Sequence, residues 1–219
     1  MGKMAAQVNI LSTGNSVLNQ ILYEMRDHEI QLDRMRFRTN LQRTGNILAY
    51  EISKELAYES QEVTTPLGQL DMNLPAQQPV LVSILRAGVP LHDGFLQFFD
   101  RADNGFISAF RKHTEGNDFI IKVEYMAVPN LDGRDLILID PMIATGQSIV
   151  LSYKSLMEAG TPKNVFIAGV VGSDEGIAYV QRHIPKARIF VAAVDKELTA
   201  KSYIVPGLGD AGDLAFGEK

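Results

Sequence analysis

The chain reads as an α/β protein with a mostly parallel central sheet flanked by helices, and three observations predict this. Four continuous apolar runs, residues 80–85, 136–139, 165–171 and 189–194, lack the polar alternation of a one-sided sheet, as strands covered on both faces do. Segments of helical spacing near 91–99, 149–159 and 177–183 alternate with them, the order expected of βαβ units. The turns after two of the runs carry Arg86-Ala87-Gly88 and Thr145-Gly146-Gln147-Ser148 at strand C-terminal ends, where open α/β sheets bind ligands.

In chain order, residues 15–26 and 32–56 place apolar side chains three and four apart, with Asn15 or Ser16 as N-cap. They read as two helices of an N-terminal helical extension within residues 1–60. Residues 63–72, containing Thr64-Thr65-Pro66-Leu67-Gly68, read as a hairpin or a strand with a turn, and the Pro-Ala-Gln-Gln-Pro stretch at 75–79 is a connector. Residues 106–111 and 119–128 read as a β-hairpin arm with the polar segment 112–118 between its strands. That segment either closes over a ligand or is a solvent-facing tip. The expectation is one domain, 1–219, with its α/β core at 80–219.

With 219 residues, 46% of them hydrophobic and 21% charged, the chain can bury a core without disulfides or a structural metal. No apolar run approaches the roughly 20 residues of a membrane span, so a membrane role is not expected. Zero cysteines exclude disulfides and thiolate metal sites, and the first 12 residues lack secretory-signal features, so a cytoplasmic location is expected. A formal net charge of −5 argues against nucleic-acid binding; Arg34, Arg36, Arg38 and Arg43 read as a solvated helix face.

The stretch Asp140-Pro141-Met142-Ile143-Ala144-Thr145-Gly146-Gln147-Ser148 joins a strand to a helix and suits an anion cradle. Thr145, Gly146 and Ser148 offer hydroxyls and unshielded backbone N–H groups, and the helix N-terminus adds partial positive charge. A carboxylate beside a phosphate repels it unless the acid contacts a hydroxyl, a cation or a cationic intermediate, so Asp140 points to a phosphorylated sugar. Arg86 either clamps an anionic oxygen or is structural. The glycine-dense run 203–213 retains apolar anchors; it is either a turn-rich strap or a loop whose fixed amides read the edge of a planar ligand such as a nucleobase. His28, His92, His113 and His183 read mainly as surface residues, with His92 and His113 nearest the ligand. Phe95, Phe98 and Phe99 read as core or interface packing.

Taken together, V-S-I-L-R-A-G at 82–88, D-P-M-I-A-T-G-Q-S at 140–148 and Y-I-V-P-G-L-G-D-A-G-D at 203–213 resemble the three signatures of uracil phosphoribosyltransferases, in family order and spacing, over about residues 50–217. The resemblance implies a type I phosphoribosyltransferase fold and a pyrimidine-salvage reaction converting uracil and 5-phosphoribosyl 1-diphosphate to uridine monophosphate and diphosphate. It implies that Arg86, Ala87 and Gly88 hold diphosphate, that Arg111 adds a second contact, and that Asp140 lies near the ribose hydroxyls. Pro141, Met142 and Ile143 lead into the cradle, where Ala144, Thr145, Gly146, Gln147 and Ser148 take the 5-phosphate. Ile204, Gly209, Asp210 and Ala211 take uracil, with Asp210 also near the diphosphate or its magnesium.

By the same resemblance Arg86, Arg111, Asp140 and Asp210 are the catalytic set. Mg2+ is held mainly through substrate, since Asp140-Pro141 stands where type I relatives commonly carry two adjacent acids. A homodimer or higher homo-oligomer and a GTP effector are implied as well. The chain departs from the family pattern at Val89-Pro90-Leu91, at Gly146-Gln147 in place of paired glycines, at Asn15-Ser16 and after Arg111. Two other readings stay open: transfer to a purine, which the C-terminal loop disfavours, and an RNA-binding regulator on the same fold, which the acidic charge disfavours.

Overall fold

The structure, a computed structural model, describes residues 7–113 and 119–218, with side chains described outside 109–123. Of the expected loop segment 112–118, residues 114–118 lie outside the described residues, and Lys112 and His113 belong to the strand that precedes them. The described residues begin with a short strand, β1 (Val8–Ile10), which periodicity did not reveal because three residues carry no period. Ser16, not Asn15, caps helix α1 (Val17–Arg26), its hydroxyl accepting from Leu18 N at 3.2 Å. Asp33 caps α2 (Arg34–Ser53), accepting from Met35 N and Arg36 N at 3.0 Å each.

Of the arginine stripe on α2, Arg34, Arg36 and Arg43 are exposed as expected and Arg38 is half-buried. Arg38 donates to Ala215 O at 2.7 Å, Arg43 to Asn40 Oδ1 at 3.3 Å, and Arg36 stands 3.6 Å from Glu24. Beyond α2, β2 (Tyr58–Thr65) and β3 (Gly68–Pro75) form a separate antiparallel ribbon, longer than the predicted hairpin, with Thr65 opposite Gly68.

The main sheet contains β4 (Val80–Leu85), β5 (Asp103–His113), β6 (Phe119–Ala127), β7 (Asp135–Ile139), β8 (Met142–Ile143), β9 (Asn164–Ser173) and β10 (Arg188–Asp195). Its order is β1-β10-β9-β7-β4-β5-β6, with β8 on β9, and every pairing is parallel except β5 with β6. Side-chain alternation explains the unbroken apolar runs. Leu81, Ile137, Ile139, Phe166 and Ala168 face one core with α1, α2 and α3 (Gly88–Leu96). Val80, Val82, Leu136, Leu138 and Ile167 face a second core with α4 (Gln147–Leu156) and α5 (Asp174–His183). Both faces are dry, as the sequence pattern required.

After β10 the chain forms a small hairpin, β11 (Glu197–Leu198) with β12 (Ile204–Val205), then a helix, α6 (Ala211–Phe216), that begins at the end of the glycine-dense run and extends past it. From β4 the chain moves to β5 on one side, whereas from β7 it moves to β9 on the other. The adjacent C-terminal ends of β4 and β7 therefore form the switch point at which such sheets open a ligand crevice. Among the described residues, no helix is long and apolar enough to cross a membrane.

Candidate active site

The first loop at the switch point runs from the end of β4 through Arg86 and Ala87 into α3, and the Leu85–Arg86 peptide is cis. A side chain at Gly88 would meet Ser83 Oγ at 2.5 Å and Ile139 O at 3.0 Å, so only glycine lets this turn lie against the end of β7. Pro90 falls in the first turn of α3, where its missing N–H removes no helical bond.

Asp140 follows β7 directly. Its backbone N–H bonds Ala168 O at 3.0 Å, and its Oδ1 accepts from Met142 N at 3.2 Å. Burial pushes the Asp140 carboxyl up from 3.8 to about 7; the Met142 N–H opposes the rise and the neighbouring Asp210 carboxylate adds to it. The free protein thus holds this acid near its titration point at neutral pH.

The cradle follows. Gly146 adopts φ +73° and stands at the N-cap of α4 with no side-chain cap, while Gln147 N donates to Thr145 Oγ1 at 3.4 Å. A Cβ on Gly146 would stand 2.6 Å from Gly176 O. Gln147 needs no unusual backbone, because Gly146 takes the left-handed conformation and Gln147 begins the helix. The N-terminus of α5 braces the loop from behind: Ser173 Oγ donates to Ala144 O at 2.5 Å and accepts from Gly176 N at 2.8 Å.

In the C-terminal strap Ile204 and Ala211 are buried, while Gly209 takes φ +91° and is exposed. Asp210 caps α6 by accepting from Gly212 N at 2.8 Å and Asp213 N at 3.0 Å. This strap meets the other two loops. Arg86 Nη2 donates to Asp213 Oδ1 at 3.2 Å and to Gly217 O at 3.1 Å. A Cβ on Gly212 would sit 3.9 Å from Ala87 Cβ, and Asp210 lies close enough to Asp140 to shift it. Arg111 has its backbone on β5, opposite Ile121, and its side chain lies outside the described ones.

Sequence reasoning misplaced one histidine. His92 is buried, not surface: Nε2 lies 2.8 Å from Asn104 Oδ1 and the ring packs on Phe106 at 5.3 Å between centroids. Asn104 Nδ2 donates to Ala102 O, so the Asn104 oxygen accepts from His92 Nε2–H; burial lowers the imidazole pKa and keeps it neutral. Sequence reasoning also missed Asp213 and the pair Arg26–Asp195, 169 positions apart, which no local pattern connects.

Among the described residues, no group of three or more His, Asp or Glu could hold a metal by itself. The Asp210 carboxylate supplies the oxygen donor type that a divalent cation arriving on a substrate accepts.

Comparison with known proteins gives a consistent result. A profile of the family described as "Uracil phosphoribosyltransferase" matches residues 12–218. A uracil phosphoribosyltransferase of Porphyromonas gingivalis is 47% identical over 210 residues, covering 95% of this chain and 97% of the relative. One from Pyrococcus furiosus is 37% identical over 202 residues, covering 91% and 85%. The solved structure of the AQ2163 protein from Aquifex aeolicus superposes with a TM-score of 0.85 at 28% identity, covering 96% of this chain and 98% of that one.

Proposed function

The chain belongs to the uracil phosphoribosyltransferase family, pyrimidine-salvage enzymes that convert uracil and phosphoribosyl diphosphate to uridine monophosphate, and from that membership we propose how its three loops divide the work. The 5-phosphate sits on the N–H groups and hydroxyls of Thr145 to Ser148, with Ala144 and Gly146 admitting it closely and Pro141 to Ile143 setting the loop's course. Asp140 accepts from the ribose hydroxyls and, ionised, favours the oxocarbenium-like sugar formed as diphosphate departs. Arg86 and Arg111 neutralise the leaving group, with Ala87 and Gly88 keeping its approach open; one well-placed donor of this kind is worth ~3 kcal/mol of barrier. Ile204, Gly209, Asp210 and Ala211 hold uracil by backbone groups so that its nitrogen attacks in line, giving inverted anomeric configuration.

The observation that supports this division is the contact between the first loop and the strap, where Arg86 Nη2 donates to Asp213 Oδ1 at 3.2 Å and to Gly217 O at 3.1 Å. Magnesium, held mainly through substrate oxygens, would supply charge neutralisation on the diphosphate, with Asp210 the protein carboxylate near it. The whole chain acts as one domain in the cytoplasm. It works as a homodimer or higher homo-oligomer, a reading supported by apolar side chains left in solvent on the N-terminal helices and ribbon, Val17 at 74%, Met35 at 69% and Leu67 at 100% exposure. GTP enters as an effector on family resemblance alone.

Incubation with phosphoribosyl diphosphate and a panel of bases, with and without magnesium, tests this reading. Magnesium-dependent formation of uridine monophosphate from uracil alone is expected. Purine nucleotide formation, or RNA binding without turnover, would overturn it.

A further inference from the structure

We propose that Arg26 and Asp195 are positioning residues for the base slot, a role that rests on the reading of the strap given above. Arg26 is the last residue of α1 and Asp195 the last of β10, and they form a two-pronged ion pair at 2.7 and 3.1 Å. The same two side chains grip Gly207 by both of its main-chain polar groups. Asp195 Oδ2 accepts from Gly207 N at 2.9 Å, and Arg26 Nη1 donates to Gly207 O at 3.0 Å.

Gly207 is the point where the strap's course is decided. It follows the cis Val205–Pro206 peptide, adopts φ +57°, and admits no side chain because a Cβ would overlap Ile204 O. It lies between Ile204 and Gly209, so any displacement there moves both ends of the surface that meets the base. A slot that reads a base through backbone amides has no side-chain rotamers with which to recover its register. Its accuracy must come from whatever fixes the backbone.

One of the two anchors, Arg26, comes from the N-terminal extension, and Asp195 comes from the end of β10 in the main sheet. The Gln31 side-chain amide, oriented with its nitrogen toward the strap, donates to Leu208 O at 2.7 Å and Met25 O at 3.1 Å. A depression lined by Gly209, Asp210 and Asp213 also takes in Gln31, Leu32 and Arg34. Asp195 is only 10% exposed and Arg26 24%, so removing one partner leaves a poorly solvated charge beside Gly207 instead of a harmless surface gap. The other end of the strap is held independently, by Arg38 at Ala215 O and Arg86 at Gly217 O. Loss of the Arg26–Asp195 grip therefore loosens the base end and leaves the diphosphate end in place.

The test is steady-state kinetics on the full-length protein, comparing wild type with Arg26→Gln and Asp195→Asn, with melting temperature recorded for each. Wild-type turnover of uracil is established first; its absence overturns the activity itself, and this proposal with it. With that activity present, Arg26→Gln is expected to raise KM for uracil roughly tenfold or more while KM for phosphoribosyl diphosphate stays within about twofold, and to lower the preference for uracil over cytosine. Asp195→Asn, equal in volume and still able to accept from Gly207 N, is expected to raise KM for uracil about threefold and carries the test if Arg26→Gln does not fold. An unchanged KM for uracil in a folded variant, or equal rises in both KM values, would overturn the positioning role and leave the activity standing.

Discussion

The guanidinium of Arg86 donates to the Asp213 carboxylate at 3.2 Å and to the Gly217 carbonyl at 3.1 Å, so the cation assigned to diphosphate is engaged by the C-terminal helix before any substrate arrives. Substrate must compete for it. The pair is 38% exposed on both sides, which caps its strength at about 1 kcal/mol.

Two substitutions separate the partners' roles. Arg86→Ala is expected to lower turnover at least about tenfold with the fold intact, since its lost barrier contribution is of order 3 kcal/mol. Asp213→Asn removes the arginine's anionic partner while the Gly217 carbonyl remains, and is expected to tighten inhibition by diphosphate by roughly two- to fivefold, the equivalent of the exposed pair. Product-inhibition kinetics read both, and weaker diphosphate inhibition in Asp213→Asn would count against the competition.

Asp140 links stability to pH. A carboxyl whose pKa rises from 3.8 to about 7 on folding binds its proton more tightly in the native state, so native stability falls as pH climbs from near 4 through about 7. Asp140→Asn removes that penalty: its melting temperature should exceed wild type at pH 8 and match it near pH 4. In wild type, kcat/KM for phosphoribosyl diphosphate should fall about tenfold per unit below pH about 7 as the acid protonates, a limb the variant lacks. Equal melting temperatures at pH 8 would mean that the acid is not destabilised by folding.

Asp210→Asn tests the coupling without unfolding the helix. Asparagine caps a helix as well as aspartate, so the bonds from Gly212 N and Asp213 N survive while the charge is lost. KM should rise for both uracil and phosphoribosyl diphosphate, and the acidic limb assigned to Asp140 should move to lower pH. A limb at the wild-type position would separate the two carboxylates.

Much of this arrangement was legible in the sequence because it is local. Strands 80–85 and 136–139 announced themselves as double-faced apolar runs, and Thr145-Gly146-Gln147-Ser148 carries its φ requirement on the one residue that can meet it. What escaped was long-range or short. The β1 strand has only three residues, and α6 begins at the end of a glycine-dense run whose Asp210 cap is recognisable only once the helix is known. His92 looked exposed because its partner, Asn104, arrives from β5. Arg38 looked solvated because Ala215 lies 177 positions away.

Gly146→Ala tests the cradle. Left-handed backbone costs a non-glycine residue about 1 kcal/mol, and the added methyl would stand 2.6 Å from Gly176 O, against the braced N-terminus of α5. A lower melting temperature and a higher KM for phosphoribosyl diphosphate, with KM for uracil little changed, are expected; an unchanged KM for phosphoribosyl diphosphate would place the phosphate elsewhere.

The most direct measurement is calorimetric titration with uridine monophosphate, whose two ends must reach the glycine strap and the phosphate cradle together. The account predicts binding far tighter than that of uracil or ribose 5-phosphate alone, weakened by Gly146→Ala at one end and by Arg26→Gln at the other. Affinity no better than that of ribose 5-phosphate, or indifference to either substitution, would contradict a single site built from the three loops.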